Sequence, residues 1–317
     1  MHEEIVARRK FSLGLVKILV HIPNDYSKGI ITDSNSKILV ETDTTDPSST
    51  ANALQTLQYL IENTEYRDSY NYSSIANDSS RKTNVVFRKW FNPKGDSQIN
   101  IVLGLMGIIL SIMPMPMPMP MPMPMPMPMH IPIPILMVCL SNVRKRERGT
   151  LQHIRGSGAS PFVYLSGKAI PYVMIGLLQL NLMLGISVTF LDIPMKGSYS
   201  ELCAVSSLFI LLSVMIGVSV TTVITNQLQA MQLLSFYFLF SNVLSGFLSP
   251  FEAIPQWSQW LGNLIPLTHF MRVIRGIMVK GNSITLMGNE LLHLISVLLN
   301  VIIIGYFLIK HRWAKNT

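Results

Sequence analysis

The stretch AIPYVMIGLLQLNLMLGISVTFL, residues 169–191, decides the fold class, because it is predominantly apolar and contains no charged side chain. A helix needs about 20 such residues to cross a bilayer. Three further runs have this character: residues 202–224, about 230–251, and 286–309, the last interrupted only by Glu290 and His293. Buried helices of a soluble protein are the alternative, but four helices that are apolar all round would leave no polar surface. We therefore predict a mainly α-helical membrane bundle with four clear spans.

A fifth apolar run begins at Ile99 but is interrupted by an unusual repeat. From Met113 to Met129 every second residue is proline, and two more prolines follow before the run ends at Leu140. Each proline removes a backbone donor and clashes with the preceding turn of a helix. We therefore expect extended polyproline geometry, and not a regular span, across this Met-Pro repeat. Such regularity is more typical of expansion of a two-codon unit, or of an error in reading the DNA, than of selected structure.

The chain divides into a polar part and a hydrophobic, basic part. Residues 1–98 contain 12 acidic and 12 basic side chains, whereas residues 99–317 contain 5 acidic and 13 basic ones. We predict a small α/β domain over 1–98 and a transmembrane domain over 99–317. In the first domain, residues 17–22 and 38–42 are expected to be strands, and a helix capped by Ser48 or Ser49 is expected to reach about Asn63. Basic residues beside long apolar runs favour a membrane, and not nucleic acid, as the partner.

The distribution of positive charge predicts the orientation of the spans. Nine basic residues lie in the 141–167 loop, next to it or in the C-terminal tail, against four in the loops on the opposite side. The 141–167 loop and the C-terminus are therefore predicted to be cytoplasmic, and residues 1–98 and the 192–198 loop to be external. An external polar domain needs a signal or a preceding span, but the one apolar stretch near the start, residues 11–20, is short and contains Lys17. We expect that an N-terminal span is missing.

No catalytic or metal-binding pattern stands out in the sequence. The phosphate-binding motif G-x-x-x-x-G-K-[ST] does not occur, since the nearest glycine cluster, GSGAS at 156–160, lacks the lysine. Cys139 and Cys203 lie in apolar segments without metal-ligand spacing, so we interpret them as small hydrophobic residues. We therefore predict that the chain is not an enzyme and holds no cofactor of its own.

Short motifs spread along nearly the whole chain resemble one known family. They are VHIPNDYSKGI (20–30), RKWFNPKGDSQINIVLGLMGIIL (88–110), RKRERGTLQHI (144–154) followed by GKAIPYVMIG (167–176), NQLQAMQ (226–232), LSGFLSPFEAIPQW (244–257) and IPLTHFMRVIRGIMVKG (265–281). In this order they resemble the permease subunits of type-2 ABC exporters, in the multidrug-efflux branch. Two features depart from that family, because its first span is absent here and the Met-Pro repeat occupies the second.

The resemblance implies a multi-pass subunit of a bacterial inner membrane that exports hydrophobic compounds together with a second permease copy or a paralogue. It also implies that a separate ABC ATPase binds ATP and Mg²⁺ and docks on the cytoplasmic loop. We expect the coupling contacts in that loop to be made by Glu147, Arg148, Gly149, Thr150, Leu151 and Ile154. Without the resemblance, the charge cluster 144–148 would be interpreted as an anchor that contacts anionic lipid.

Two interpretations of the 249–283 segment remain open. Its tryptophans favour an interfacial aromatic belt, whereas the resemblance implies re-entrant half-helices that close the outer end of a pathway and are shielded by protein. The candidate pathway or re-entrant residues are Asn181, Asn242, Phe247, Pro250, Trp257 and Pro266. For the two asparagines, hydrogen bonding between helices is favoured over contact with a substrate.

Two other functions are compatible with the sequence. The chain could be an inactive, truncated remnant that inserts into the membrane without pumping. It could also be a membrane anchor or receptor that acts through its external domain. Co-purification with an ATPase would separate an exporter from an anchor, and restoring the first span and replacing the repeat would separate an exporter from a remnant.

Overall fold

The computed structural model describes residues 2–23, 37–47, 50–60, 84–111, 160–224, 227–248 and 251–315. The chain divides into two compact units, Met1–Asn100 and Ile101–Thr317. The Met-Pro repeat and residues 141–159 lie outside the described residues, so the expectation of polyproline geometry stays a prediction.

The first unit contains a small sheet and two helices. Helix α1 spans His2–Ser12, and helix α2 covers residues 50–60. Strand β1, Ile18–His21, pairs antiparallel to β2, Lys37–Asp43, and β2 pairs parallel to β3, Asn84–Trp90. The first two strands lie where the sequence predicts strands. β3 was not predicted, although its Val85, Val86 and Phe87 are residue types that favour strands. The predicted helix caps Ser48 and Ser49 lie outside the described residues.

The sequence WFNP, residues 90–93, forms a fixed corner at the end of β3. The Trp90 indole donates to Glu41 Oε1 at 3.1 Å, which ties the corner to β2. The buried Asn92 donates through Nδ2 to the Asp96 carbonyl at 2.9 Å, and its Oδ1 accepts from the Asp96 amide at 3.1 Å. Phe91 has a φ of 70°, which is uncommon for a residue with a side chain. The motif therefore shapes the chain just before the first apolar helix.

The remaining helices belong to the second unit, except that the first of them begins shortly before it. They are α3 (Ser97–Ser111), α4 (Pro161–Thr189), α5 (Tyr199–Val223), α6 (Gln227–Leu244), α7 (Gln256–Leu264), α8 (Pro266–Arg275) and α9 (Gly288–Lys315). Short turns of 3-10 or π type occur at Phe251–Ala253, Gly276–Lys280 and Ile284–Met287.

Helix α4 starts earlier than the sequence predicts. Ser160 caps it, because its hydroxyl accepts a hydrogen bond from the Val163 amide at 3.3 Å, and Pro161 suits the first helical position. Residues 161–167, which were predicted to be loop, are therefore the first turns of a helix that continues into the apolar run.

Three described helices are long and apolar enough to cross a bilayer: Ala169–Thr189, Tyr199–Val220 and Ile284–His311. The predicted span over about 230–251 ends earlier than expected, since α6 ends at Leu244. The physical reason is the turn that follows, in which Gly246 adopts a left-handed φ of 79° that ends the helix. The mainly helical fold is confirmed, and the described residues contain three helices of the length and composition of membrane spans.

Helix α5 is the centre of the second unit. In the most apolar stretch of α5, 61% is buried within the protein, whereas the corresponding stretches of α4 and α9 are each 22% buried. It packs against both of these helices, and Phe209 on α5 stacks on Phe270 of α8 with ring centroids 4.2 Å apart. The outer side of α4 exposes large apolar residues at intervals of four: Ile170, Met174, Leu178, Leu182 and Ile186. Such a stripe is the surface that a lipid-facing helix presents.

Candidate functional site

The predicted coupling residues fall outside the described part of the chain. This applies to Glu147, Arg148, Gly149, Thr150, Leu151 and Ile154, and also to Pro250. Within the described residues, interacting charged side chains of the second unit gather at the end of the helical unit where α6 ends and α9 begins. The candidate site therefore lies in the segment between these two helices.

A proline divides this segment into two short helices with opposite environments. Pro266 begins α8, and the preceding Ile265 is extended, with φ −85° and ψ 124°, as a residue before proline prefers. Helix α7, before the break, exposes Trp257 and Trp260. Helix α8, after it, is buried at every position except Arg272 and Arg275. The segment is therefore not one uniform aromatic belt, because only its first half carries exposed tryptophans.

Helix α8 packs against α5, α6 and α9, and Glu290 in the first turn of α9 fixes its position. His269 Nδ1 is hydrogen-bonded to Glu290 Oε2, and Arg272 donates to Glu290 Oε1 at 3.3 Å. The His269 side chain is 7% exposed and that of Glu290 is 26% exposed. A carboxylate in such a place is tolerated when it is paired, and here both of its oxygens have partners.

The same two residues of α8 also reach back to α7. His269 Nε2 lies 2.8 Å from the Asn263 carbonyl oxygen, and Arg272 Nη2 donates to Asn263 Oδ1 at 3.0 Å. The Arg272 guanidinium also lies 4.8 Å from the centre of the Phe251 ring. Three elements are thus joined across the proline break by one set of polar contacts.

His293 completes this polar cluster. It lies one turn after Glu290 on α9, and its ring contacts that of His269, with centroids 3.9 Å apart and the ring planes tilted by 32°. We refer to His269, Arg272, Glu290, His293 and Asn263 as the outer cluster, because the distribution of positive charge in the sequence predicts that this end of the helices is external. In the described part of the chain, no group of three or more His, Cys, Asp and Glu side chains is placed to hold a metal ion. Both nitrogens of His269 already have partners, so its ring serves as a connector.

Further contacts hold the ends of the segment. Glu201, in the first turn of α5, accepts from the Ser283 hydroxyl at 3.0 Å and from the Ile284 amide at 3.2 Å. Arg275 donates to the carbonyl of Gly246, the residue that terminates α6, at 3.1 Å. The segment between α6 and α9, which contains α7 and α8, is therefore held against α5 and α6 as well as against α9.

Phe247 and Met271 bring helix α3 against this segment. The ring of Phe247 packs so closely on Gly104 that a Cβ at that glycine would overlap it. At Gly107, an added Cβ would lie 2.7 Å from Met271 Sδ on α8. Two glycines one turn apart thus allow α3 to approach, and Phe247 is a packing residue in this structure.

The two predicted asparagines make local contacts on different helices. Asn181 on α4 donates to the Leu177 carbonyl at 2.7 Å and accepts a hydrogen bond from the Tyr199 hydroxyl on α5. Asn242 on α6 is buried and donates to the Phe238 carbonyl at 2.8 Å. Asn181 therefore makes a hydrogen bond between helices, which is the interpretation that the sequence favours over contact with a substrate.

The outer cluster was not among the predicted site residues. The sequence does contain a signal for it, because Glu290 is the one carboxylate in a long apolar run and His293 follows it at a helical spacing. Ionisable residues in a membrane span are costly and usually face protein or a water-filled cavity. Their partners on α8 could not be foreseen, since His269 and Arg272 meet them only through the fold.

Comparison with known proteins identifies the family. Residues 84–279 match the ABC-2 type transporter family. The chain is 27% identical over 296 residues to the probable multidrug ABC transporter permease YbhS of Escherichia coli strain K12, which covers 93% of this chain and 72% of that protein. It is 25% identical over 277 residues to the probable multidrug ABC transporter permease YbhR of the same organism, covering 86% and 68%.

A more distant relative shares only part of the chain. ABC transporter G family member 20 of Dictyostelium discoideum is 23% identical over 142 residues, which is 45% of this chain and 20% of that protein. No solved structure gives a significant match.

The family match covers more than half of the chain and includes helices α3 to α8. It therefore includes the buried helix α8 and its contacts with α7. It confirms the resemblance drawn from the sequence motifs, and with three long apolar helices it makes this a multi-pass membrane protein. The family consists of permease subunits, which are not themselves enzymes. The chain belongs to the ABC-2 type transporter family.

Proposed function

We propose that this chain is the membrane-spanning subunit of an ATP-driven exporter that moves hydrophobic compounds out of a bacterial cell. The proposal is supported by helix α8, a short helix that follows the proline break. It is buried among longer apolar helices, and the contacts of the outer cluster hold it in place. Irregular backbone at membrane depth is tolerated only where protein shields it or where it lines a cavity. A simple anchor or receptor has no need of such an element, whereas a pathway that must be closed at one end does.

The orientation in the proposal follows from the positive charges. With the C-terminus in the cytoplasm, α9 begins at the outer face of an inner membrane, and so does the segment that contains α7 and α8. The outer cluster then lies at the external end of the helices and holds the pathway closed there. The opposite end carries the basic 141–167 loop.

The energy source in the proposal is a separate ABC ATPase, because this chain carries no phosphate-binding motif. The ATPase docks on the loop through Glu147, Arg148, Gly149, Thr150, Leu151 and Ile154, and it binds ATP and Mg²⁺. Helix α4 starts at Pro161, only a few residues after these contacts, and runs without interruption to Thr189. We expect a movement at the loop to be passed on to this membrane helix.

The packing of the second unit offers a route from α4 to the closed end. Helix α4 packs on α5, and α5 reaches α8 through the stacked rings of Phe209 and Phe270. Opening the pathway in this scheme means that α8 leaves Glu290 and the contacts of Asn263 are broken. A second permease copy or a paralogue completes the transporter, and the names of the E. coli relatives support drugs as the substrate class.

The experiment that tests the proposed partner is co-purification. The full chain is co-expressed in a bacterial host with the ABC-type ATPase subunits of its own genome, and the membranes are solubilised and purified through a tag on this chain. We expect one ATPase to co-purify, and Leu151→Ala to reduce its yield because a buried apolar anchor typically contributes about 1 kcal/mol or more. Leu261→Ala, on α7 at the opposite end, is the control and should retain the ATPase. An inserted chain that retains no ATPase would favour an anchor or a receptor.

A further inference from the structure

Helix α7 presents an apolar face that points away from the protein. Its members are Trp257, Trp260, Leu261 and Leu264, which are 69%, 78%, 48% and 67% exposed. Their spacing of three, four and seven residues places them on one side of a helix. No residue of α7, QWSQWLGNL, is charged. We call these four residues the tryptophan face.

The opposite side of α7 is packed so tightly that the helix cannot turn this face inward. Ser258 is buried and donates to the Pro255 carbonyl at 2.9 Å. A Cβ added to Gly262 would lie 2.7 Å from the Leu244 carbonyl oxygen and 2.8 Å from the Phe251 ring. Asn263 is held by His269 and Arg272. The outward direction of the tryptophan face is therefore fixed by close contacts.

The tryptophan face continues the apolar surface of the preceding helix. Helix α6 exposes Phe236, Leu239, Phe240 and Val243 up to its end at Leu244, and α7 packs against α6. On a helix of a membrane protein, exposed apolar side chains of this kind suit contact with lipid. Because α7 lies in the connection between the end of α6 and the start of α9, it sits at the level where membrane helices end.

We propose that the tryptophan face binds the bilayer itself, at the boundary between the headgroups and the acyl chains. Indole rings suit this boundary, since they combine a large apolar surface with one N–H donor. Leu261 and Leu264 would then reach the first acyl carbons, as interfacial helices lie about 5–10 Å deep. The absence of charge on α7 makes a zwitterionic phospholipid sufficient as the partner. The inference requires only membrane insertion, so it does not depend on export.

The lipid contact has a structural consequence for the outer cluster. Asn263 is part of α7 and binds both His269 and Arg272 of α8. The position that lipid imposes on α7 is therefore transmitted to the buried half-helix without any intermediate residue.

The test uses the intrinsic fluorescence of the full chain in phosphatidylcholine vesicles. The chain has 4 tryptophans, so the parent is compared with the double variant Trp257→Phe plus Trp260→Phe, which keeps ring size and apolarity. Vesicles carry bromine at shallow or at deep acyl positions. We expect the signal lost in the double variant to be the part that shallow bromine quenches, with weaker quenching by deep bromine.

Two results would overturn the proposal. If the fluorescence that the double variant loses is quenched by aqueous iodide and not by bromine, the face lies in water. If it is protected from both quenchers, another protein surface, such as a second copy, covers it. A second measurement guards against misfolding of the variant: a nitroxide on Leu264→Cys should be reached by oxygen and not by a water-soluble nickel complex. The same label on Ser198→Cys, in an exposed loop, should show the reverse.

Discussion

His269 on the buried helix α8 is hydrogen-bonded through Nδ1 to Oε2 of Glu290 on α9. Its other nitrogen faces the Asn263 carbonyl oxygen at 2.8 Å. A neutral imidazole has only one N–H, so two oxygen acceptors require one more proton, on the ring or on the carboxyl group. The His269 ring thus connects α7, α8 and α9. The strength of this connection depends on whether the side chain at position 290 can accept or donate a hydrogen bond.

Replacement of Glu290 should loosen the closed end. Glu290→Ala removes the acceptor of His269 and of Arg272, and we expect it to lower the free energy of unfolding by about 1–3 kcal/mol. Glu290→Gln should be milder, because its amide can donate to a neutral His269 while its oxygen still accepts from Arg272. Thermal unfolding in detergent, followed by circular dichroism, measures both variants.

The matched control for this series is Asn289→Ala, the exposed neighbour of Glu290 on the same turn of α9. It should leave the unfolding temperature unchanged. Equal effects of Asn289→Ala and Glu290→Ala would show that the turn, and not the polar contacts, determines stability. A Gln variant as damaging as the Ala variant would mean that charge matters more than hydrogen-bond connectivity.

The packing of α7 on α6 predicts opposite outcomes for two glycine substitutions. Gly262→Ala places a methyl group 2.7 Å from the Leu244 carbonyl oxygen, and such overpacking typically costs about 1–3 kcal/mol. Gly185→Ala, on α4, has nothing within 4 Å of the new Cβ and should be neutral or stabilising by up to about 1 kcal/mol. Unfolding temperatures of the two variants test this, and a neutral Gly262→Ala would refute the fixed orientation of α7.

Orientation in the membrane can be checked by labelling single cysteines. With Cys139 and Cys203 replaced by serine and alanine, a cysteine at Ser198 should react with an impermeant maleimide added outside intact spheroplasts. A cysteine at Asn316 should react only after the membrane is opened. The reverse pattern would invert the predicted topology and place the outer cluster on the cytoplasmic side.

Coupling to the ATPase predicts a separation of insertion from transport. Glu147→Ala combined with Arg148→Ala should leave the amount of chain in the membrane unchanged but reduce transport per ATP hydrolysed. The paired control, Arg144→Ala with Lys145→Ala, removes two charges of the same cluster and should have a smaller effect. If both pairs reduce membrane insertion equally, the cluster acts only as a lipid anchor.

The sequence was sufficient for the elements that depend on local composition. Apolar runs located the membrane-spanning parts of α4, α5 and α9, because a helix that crosses a bilayer must be apolar over about 20 residues. They did not show that α4 begins at Pro161, before its apolar run. The end of α6 was missed, since a turn at Gly246 inside an apolar stretch leaves composition unchanged. Pro266 marked a break, but the pattern alone could not show that one side would be buried and the other exposed.

The outer cluster shows the same limit more strongly. A carboxylate at Glu290 signals that some partner exists, yet His269 is 21 residues away in the chain. Only the packing of α8 on α9 brings the two together. The coupling residues from Glu147 to Ile154 lie outside the described residues, so their role stays a prediction.

Uptake into inside-out vesicles shows whether this chain forms the pathway of an ATP-driven exporter. ATP and Mg²⁺ are added to the medium outside vesicles that contain the chain and its co-purifying ATPase. Accumulation of a hydrophobic fluorescent dye inside the vesicles is then measured. We expect accumulation that requires both subunits and stops when the catalytic carboxylate of the ATPase is replaced. ATP hydrolysis by a stable complex without any dye accumulation, across a panel of hydrophobic dyes, would contradict it.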